Sequence, residues 1–524
     1  MASSAVSFRS SAKTGEGQDN DPGSVGTERV LNSYEVREQA ARSETKVPIP
    51  RQITNGDEQK YSNSNFIANF SKGLPHNEFG EVDPVAYRAL LSGLRQGTSK
   101  ALENNIKLGG TTKLVNPLAG LAFDLEGTDS HQLKIPPFPE LKGKALADQA
   151  VELYWMALCR DVNFSRYGID PKTIAAASEL GVTAQTLFRG FTAGDVIGPY
   201  VSQFLLKPFD YGPYAMNGLM TVAQAGIDYL TDVNSWLKNQ RGKTPSAVDA
   251  PDSTPQSVRN GRDLATYVHT DPNAGLFMSF YNAGIFLFEN GAPPNPGNPY
   301  RDYDKQSPFG TFGVPFFLGL IGEAATRAFK AAWYAKWFVH RALRPDQYGG
   351  LVHWTKTGQK KGDYLHSDIL DSTALANVFA ANKGTYFLPQ AYPEAGPQHP
   401  SYPSGHATMA GACATILKAA FDGGAAFADL TDNTVAAASV DGSRPVPVGK
   451  DPGLTIGGEI DKLASNIAFG RNLAGIHWRS DAEEGMRLGE AVALSILRDQ
   501  RDNYPGENFD GFTITKFDGT TITV

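Results

Sequence analysis

The stretch 311-TFGVPFFLGLIGEAATRAFKAAWYAKWFVHRALRP-345 is the longest periodic run in the chain. Its apolar residues recur at helical spacing, and Pro345 forbids continuation, so a long helix is expected to end there. Similar patterns cover 147–162, 215–237 and 262–291, the last with a break at Asp271-Pro272, and then about 404–420, 457–474 and 481–498. Strand signals are sparse. The clearest is the C-terminal FTITKFDGTTITV, two β-branched runs about Asp518-Gly519, which predicts a small hairpin. The fold expected is therefore mainly α, built of packed helix bundles with a small C-terminal β-hairpin.

The chain of 524 residues is long enough to bury a large core, and 41% hydrophobic with 20% charged residues is a globular composition. A net charge of −7 argues against a general nucleic-acid or anionic-membrane binder, so any anion site must be a local basic cluster. No apolar run is long enough to span a bilayer, and the N-terminus lacks the apolar core of a signal peptide. The expectation is a soluble protein, cytoplasmic or of unassigned compartment. The two cysteines, Cys159 and Cys413, both lie in apolar helical patterns and read as small buried side chains, not a disulfide scaffold. Residues 1–60 are polar and read as a partly extended arm. Residues 61–524 read as a single α-helical domain with its site drawn from 333–345, 399–406 and 471–481.

Three segments point to an anion. On a continuous helix at ~100° per residue, Lys336, His340 and Arg344 would share an arc of about 80°, with Trp333 in the same arc. These cations have no acidic partner one turn away, so burying them calls for an anion. In HPSYPSGHATMAGACATILKAAF (399–421), Ser404 is a good N-cap, Gly405 leaves backbone N–H groups uncovered, and His406 is suited to move a proton. In NIAFGRNLAGIHWRSDAEEGM (466–486), Arg471 and His477 would lie on different faces of one helix, but Gly475 offers a break. Ser480-Asp481-Ala482-Glu483 then reads as a capping box. Asp481 can hold one ring nitrogen of His477 and fix its tautomer. Taken one at a time, each segment also admits a plain structural reading: a packing helix, a helix start with a chance histidine, a lone core histidine.

The order Lys336…Arg344-Pro345, Pro403-Ser404-Gly405-His406, Arg471…His477…Asp481 resembles the signature shared by vanadium-dependent haloperoxidases, type-2 phosphatidic acid phosphatases and bacterial acid phosphatases. The gap between Lys336 and Arg344 is similar to that of algal and cyanobacterial bromoperoxidases, one residue longer than is usual in the phosphatases and fungal chloroperoxidases. FIANFSKGLPH, AFDLEG, the 151–161 stretch, LFRGFTAGDVIGPYVSQF, GRNLAGIHWRSD and KFDGTTITV extend the likeness to that branch over roughly residues 60–524.

The resemblance implies vanadate as cofactor, bonded by His477. Lys336, Arg344, Arg471, Ser404 and the Gly405 N–H would hold its oxygens. His406 and Lys336 would join His477 as the catalytic groups, and Asp481 would orient His477. His399 and Trp333 would line the halide pocket, His399 leaning toward bromide and iodide. The implied reaction is halide oxidation by hydrogen peroxide to a hypohalous acid that halogenates an organic acceptor. The alternative within the superfamily is a soluble acid phosphatase with His477 as nucleophile. A different class, a non-catalytic anion-binding or assembly protein, predicts that replacing His406 leaves oxyanion affinity intact and abolishes nothing else. Relatives of the algal type form large homo-oligomers, dodecamers among them. Some bind a structural calcium in a loop resembling 298–310, where Asp302 and Asp304 are possible oxygen ligands.

Overall fold

The computed structural model describes residues 22–271, 275–431, 433–504 and 508–524. The Gly405–Ala420 helix runs through the centre, and all sixteen of its residues are buried. Helices Val314–Tyr334, Ile456–Leu473 and Arg479–Asp502 pack around it. This central position follows from its sequence: GHATMAGACATILKAA is dominated by small side chains, so neighbouring backbones can come close. At one crossing a Cβ on Gly411 would lie 2.1 Å from the Met486 carbonyl oxygen, and one on Gly489 would lie 1.9 Å from the Thr408 oxygen. No side chain fits at either position.

The expected helices at 147–162, 404–420, 457–474 and 481–498 appear as Lys144–Cys159, Gly405–Ala420, Ile456–Leu473 and Arg479–Asp502. The break expected near Asp271 separates Gly261–Thr270 from Met278–Glu289, with 272–274 outside the described residues. The C-terminal hairpin forms as expected, Thr513–Thr515 pairing with Thr521–Thr523.

The helix expected over 215–237 is absent except for its end, Val233–Gln240. Before that helix, Tyr214–Met216 pairs with Phe209–Tyr211, Met220 bridges to Gln256, and Gly218 and Gly226 take φ of 70° and 76°. Left-handed glycines and a β-branched Thr221-Val222 pair defeat the apolar spacing there. A hairpin of Thr434–Ala438 with Pro445–Lys450 had no clear signal in the sequence. Within the polar arm, Pro22–Glu44 is helical where an extended segment was expected, and residues 1–21 lie outside the described residues.

Both cysteines are buried free thiols, and burial pushes Cys159 up to about 12. No described helix is long and apolar enough to cross a membrane. Asp302 and Asp304 lie in an exposed loop and do not gather with other carboxylates or histidines among the described residues.

Candidate active site

The first segment reaches the site by a different route from the one its periodicity suggests. The Val314–Tyr334 helix widens into a π-helical turn over Ala335–His340, and Arg341 then takes φ +41°. Arg344 is the extended N-cap of the next helix, Pro345–Lys356. Lys336, His340 and Arg344 therefore do not share one helical stripe. Lys336 is fully buried and donates to the carbonyls of Pro400 (2.8 Å) and Ser401 (2.7 Å). His340 instead packs edge-on to Tyr402 at 4.8 Å, and neither ring nitrogen has a partner.

Burial of His340, helped by Arg341, lowers its pKa to about 3. The unfolded ring titrates at its ordinary 6.5 and binds a proton at pH 5 that the folded ring refuses, so stability falls as pH drops below 6.5. His340→Phe removes this penalty. Its stability relative to the parent should improve by about 2 kcal/mol between pH 8 and pH 5, a Tm gap widening by about 2 °C in thermal scans.

Ser404 caps the central helix: its Oγ accepts from Ala407 N at 3.3 Å, and its own N–H donates to the Asp481 carbonyl at 2.9 Å. The Gly405 and His406 amides stand ahead of the intrahelical ladder, at the positive end of the helix. A Cβ on Gly405 would sit 2.9 Å from the Trp333 ring, so glycine here lets the indole close over the helix start. Trp333 also packs against His399 at 4.7 Å and donates from Nε1 to the Val115 carbonyl at 3.0 Å.

In the third segment, Gly475 takes φ +86° and ends the Ile456–Leu473 helix, as expected. The next helix starts earlier than a capping box at Ser480 implies: Trp478 is its N-cap and Asp481 its third residue. Ser480 is occupied elsewhere, donating to Gln149. The reason is Asp481 itself. Its Oδ2 accepts from the Trp478 amide (3.1 Å), from His477 Nδ1 (2.6 Å) and from the Ser401 hydroxyl, and one carboxylate thereby fixes the helix start and the histidine together.

Arg344 donates to His477 Nε2 at 2.9 Å, to the Ile476 carbonyl at 3.0 Å, to the His399 carbonyl at 3.0 Å and to His399 Nδ1 at 3.0 Å. A guanidinium can only donate. With Nδ1–H held by Asp481, His477 Nε2 must carry a lone pair. Burial, then Arg344, Lys336 and Arg471, push the His477 pKa well below its ordinary value, so the ring stays neutral. Burial and Arg344 likewise lower Lys336, while burial raises Asp481 to about 6.

Arg471 donates to the Val268 carbonyl at 2.7 Å, and its buried Nε has no partner. His406 Nε2 lies 3.1 Å from Asp271 Oδ1, the carboxylate fully buried and the imidazole nearly so. Asp271 gave no sign of this in the sequence beyond a helix break before proline, because its partner is 135 positions away. Ser401, which hydrogen-bonds Asp481, was equally unmarked. The carboxylate works against burial and Arg471, which lower the His406 pKa. Asp271→Asn should therefore lower the His406 pKa further, measured by NMR titration of its ring protons.

Arg344 and Asp481 thus bond His477 directly, Lys336 and Arg471 lie near enough to lower its pKa, Ser404 bonds Asp481, His399 bonds Arg344, Trp333 packs on His399 and Gly405, and His406 lies near Arg471. Four buried cations, Lys72, Lys336, Arg344 and Arg471, outnumber the three buried carboxylates, Asp271, Asp346 and Asp481, and Arg471 Nε has no hydrogen-bond partner. An oxyanion with several oxygens, together with a metal that accepts an imidazole lone pair, fits this donor set. Vanadate is such a group.

The family model of the VCPO second helical-bundle domain matches residues 317–504, the span that holds every one of these site residues but Lys72 and Asp271. The vanadium-dependent bromoperoxidase of Corallina pilulifera is 33% identical, covering 95% of this chain and 98% of its own. That of Ascophyllum nodosum is 34% identical, covering 90% and 89%. A solved homohexameric vanadate-dependent bromoperoxidase from Ascophyllum nodosum superposes with a TM-score of 0.87 at 30% identity, covering 94% of this chain and 90% of that one. Likeness of this extent, over a site whose three segments meet around a lone-pair-bearing imidazole, places the chain in the vanadium-dependent bromoperoxidase family.

Proposed function

We propose that this protein oxidises bromide, and iodide, with hydrogen peroxide: bromide, peroxide and one proton give hypobromous acid and water, and the acid halogenates organic acceptors. The observation that carries this reading is His477 Nε2, kept unprotonated by Asp481 and ringed by Lys336, Arg344 and Arg471. Bound vanadate supplies a Lewis acid that polarises peroxide.

The chain's own residues do the rest. His477 Nε2 is the metal ligand. Lys336, Arg344 and Arg471 spread positive charge over the oxygens, and the Ser404 hydroxyl and Gly405 amide donate to them. Ser404 Oγ accepts from Ala407, which leaves its proton to give. Asp271 engages His406 Nε2, so Nδ1 is the nitrogen that takes and returns the proton the reaction requires. Trp333 and His399, packed together beside Arg344, form the wall where halide approaches. The wall and the anion nest belong to one catalytic domain, 61–524, preceded by the arm. Calcium at Asp302 and Asp304 has no role in this reading. By likeness to the homohexameric relative, the chain assembles as a homo-oligomer of six or twelve copies, which light scattering distinguishes.

Apo-protein reconstituted with vanadate, then given peroxide, bromide and a chromogenic acceptor, should brominate in proportion to vanadate bound. Excess phosphate should compete, since the two oxyanions share shape and charge. Bromination indifferent to vanadate, with hydrolysis of a phosphate ester by the vanadate-free protein, would favour a phosphatase using His477 as nucleophile.

A further inference from the structure

Outside the proposed vanadate site, one imidazole and two carboxylates converge at the outer end of the Gly261–Thr270 helix. His269 Nε2 lies 3.3 Å from Asp249 Oδ2 and 3.3 Å from Glu394 Oε1, and all three donor atoms lie within 4.8 Å of one another. One ring nitrogen carries at most one proton, yet it faces two carboxylate oxygens at equal distance. Both separations are long for charge-assisted hydrogen bonds, which run about 2.7–2.9 Å. They match the spacing between donors on one tetrahedral zinc, about 3.3–3.6 Å for bonds of about 2.0–2.2 Å.

The donors are also held. The His269 ring stacks on Tyr392 at 3.8 Å and 13°. The Glu394 backbone carbonyl accepts from Lys72 at 2.9 Å and Asn239 at 2.6 Å. The carbonyls flanking Asp249 accept from Tyr229 (3.1 Å, at Val248) and from the Gln224 amide (2.8 Å, at Ala250). Each donor is partly solvent-exposed, which gives a cation an entry path and water to complete its shell.

We infer that Asp249, His269 and Glu394 form a second metal site, for a divalent cation of the zinc class. It stands apart from vanadate but touches its supports. Tyr392, on which His269 stacks, lies 5.6 Å from the Arg471 guanidinium. The helix end that carries His269 also carries Val268 and Asp271, the partners of Arg471 and His406. A cation there ties two loops to the helix end that positions both catalytic-site residues.

Zinc titrated calorimetrically into the vanadate-loaded full chain, in phosphate-free buffer, should show one site of micromolar affinity. His269→Ala and Glu394→Gln should each weaken it at least tenfold. Asp249→Asn, at an exposed carboxylate, serves as a third variant if His269→Ala disturbs the helix end. Saturating zinc should raise the Tm by about 2 °C in the parent and not in the variants. Absence of saturable binding below about 1 mM, or affinity unchanged in both His269→Ala and Glu394→Gln, overturns the inference.

Discussion

Replacing His477 by alanine is expected to lower bromination by at least about 10³-fold and to abolish tight vanadate binding, read by dialysis and vanadium analysis. Loss of groups that merely orient a metal ligand costs about 10–100-fold, and here the proposed ligand itself is removed. The same substitution also strips Asp481 of its 2.6 Å partner, leaving that carboxylate among Lys336 and Arg344 with one hydrogen bond fewer. The fold should survive, because the Asp481 bonds to the Trp478 amide and the Ser401 hydroxyl still fix the helix start. Circular dichroism and an unshifted oligomer mass would show that. Bromination within tenfold of the parent would remove His477 from the metal site.

His406→Ala should separate binding from chemistry. Turnover should fall by about 10²–10⁴-fold, the usual range for a positioned proton carrier, while vanadate affinity changes by only a few-fold. The contrast arises because His406 bonds Asp271 and stands near Arg471, whereas the proposed function gives Arg344, Lys336 and Arg471 the charge that holds the oxyanion. Asp271 keeps its place near Arg471 but loses its imidazole partner, so affinity should weaken slightly, not improve. A non-catalytic anion binder makes the opposite claim: bromination by the parent would itself be absent, and the substitution would change nothing measurable. Turnover unchanged in His406→Ala would assign the proton transfer to another group.

The helical class of the fold was legible because 3.6-residue periodicity survives in any packed helix, as in 405–420 and 456–473. The same rule failed at 215–237, where glycines at positive φ cost a helix more than the apolar spacing suggests. It also misread 333–345. The periodic pattern runs on through Arg344, but the chain leaves the helix at Arg341 and turns back, so His340 faces Tyr402 while Arg344 faces His477.

The sequence by itself determined which residue types would form the candidate site and in which order, because cations, a capping serine, a bare glycine and two histidines carry their chemistry wherever the backbone takes them. Only the tertiary structure decided how they meet. The reversal at 341–344, the single carboxylate of Asp481 serving both the Arg479–Asp502 helix start and His477, and Asp271 reaching His406 across 135 positions are contacts between segments. Local sequence fixes propensity and charge, whereas such contacts follow from which helices pack together, and that is settled by the close approach of small residues such as Gly411 and Gly489 in the core.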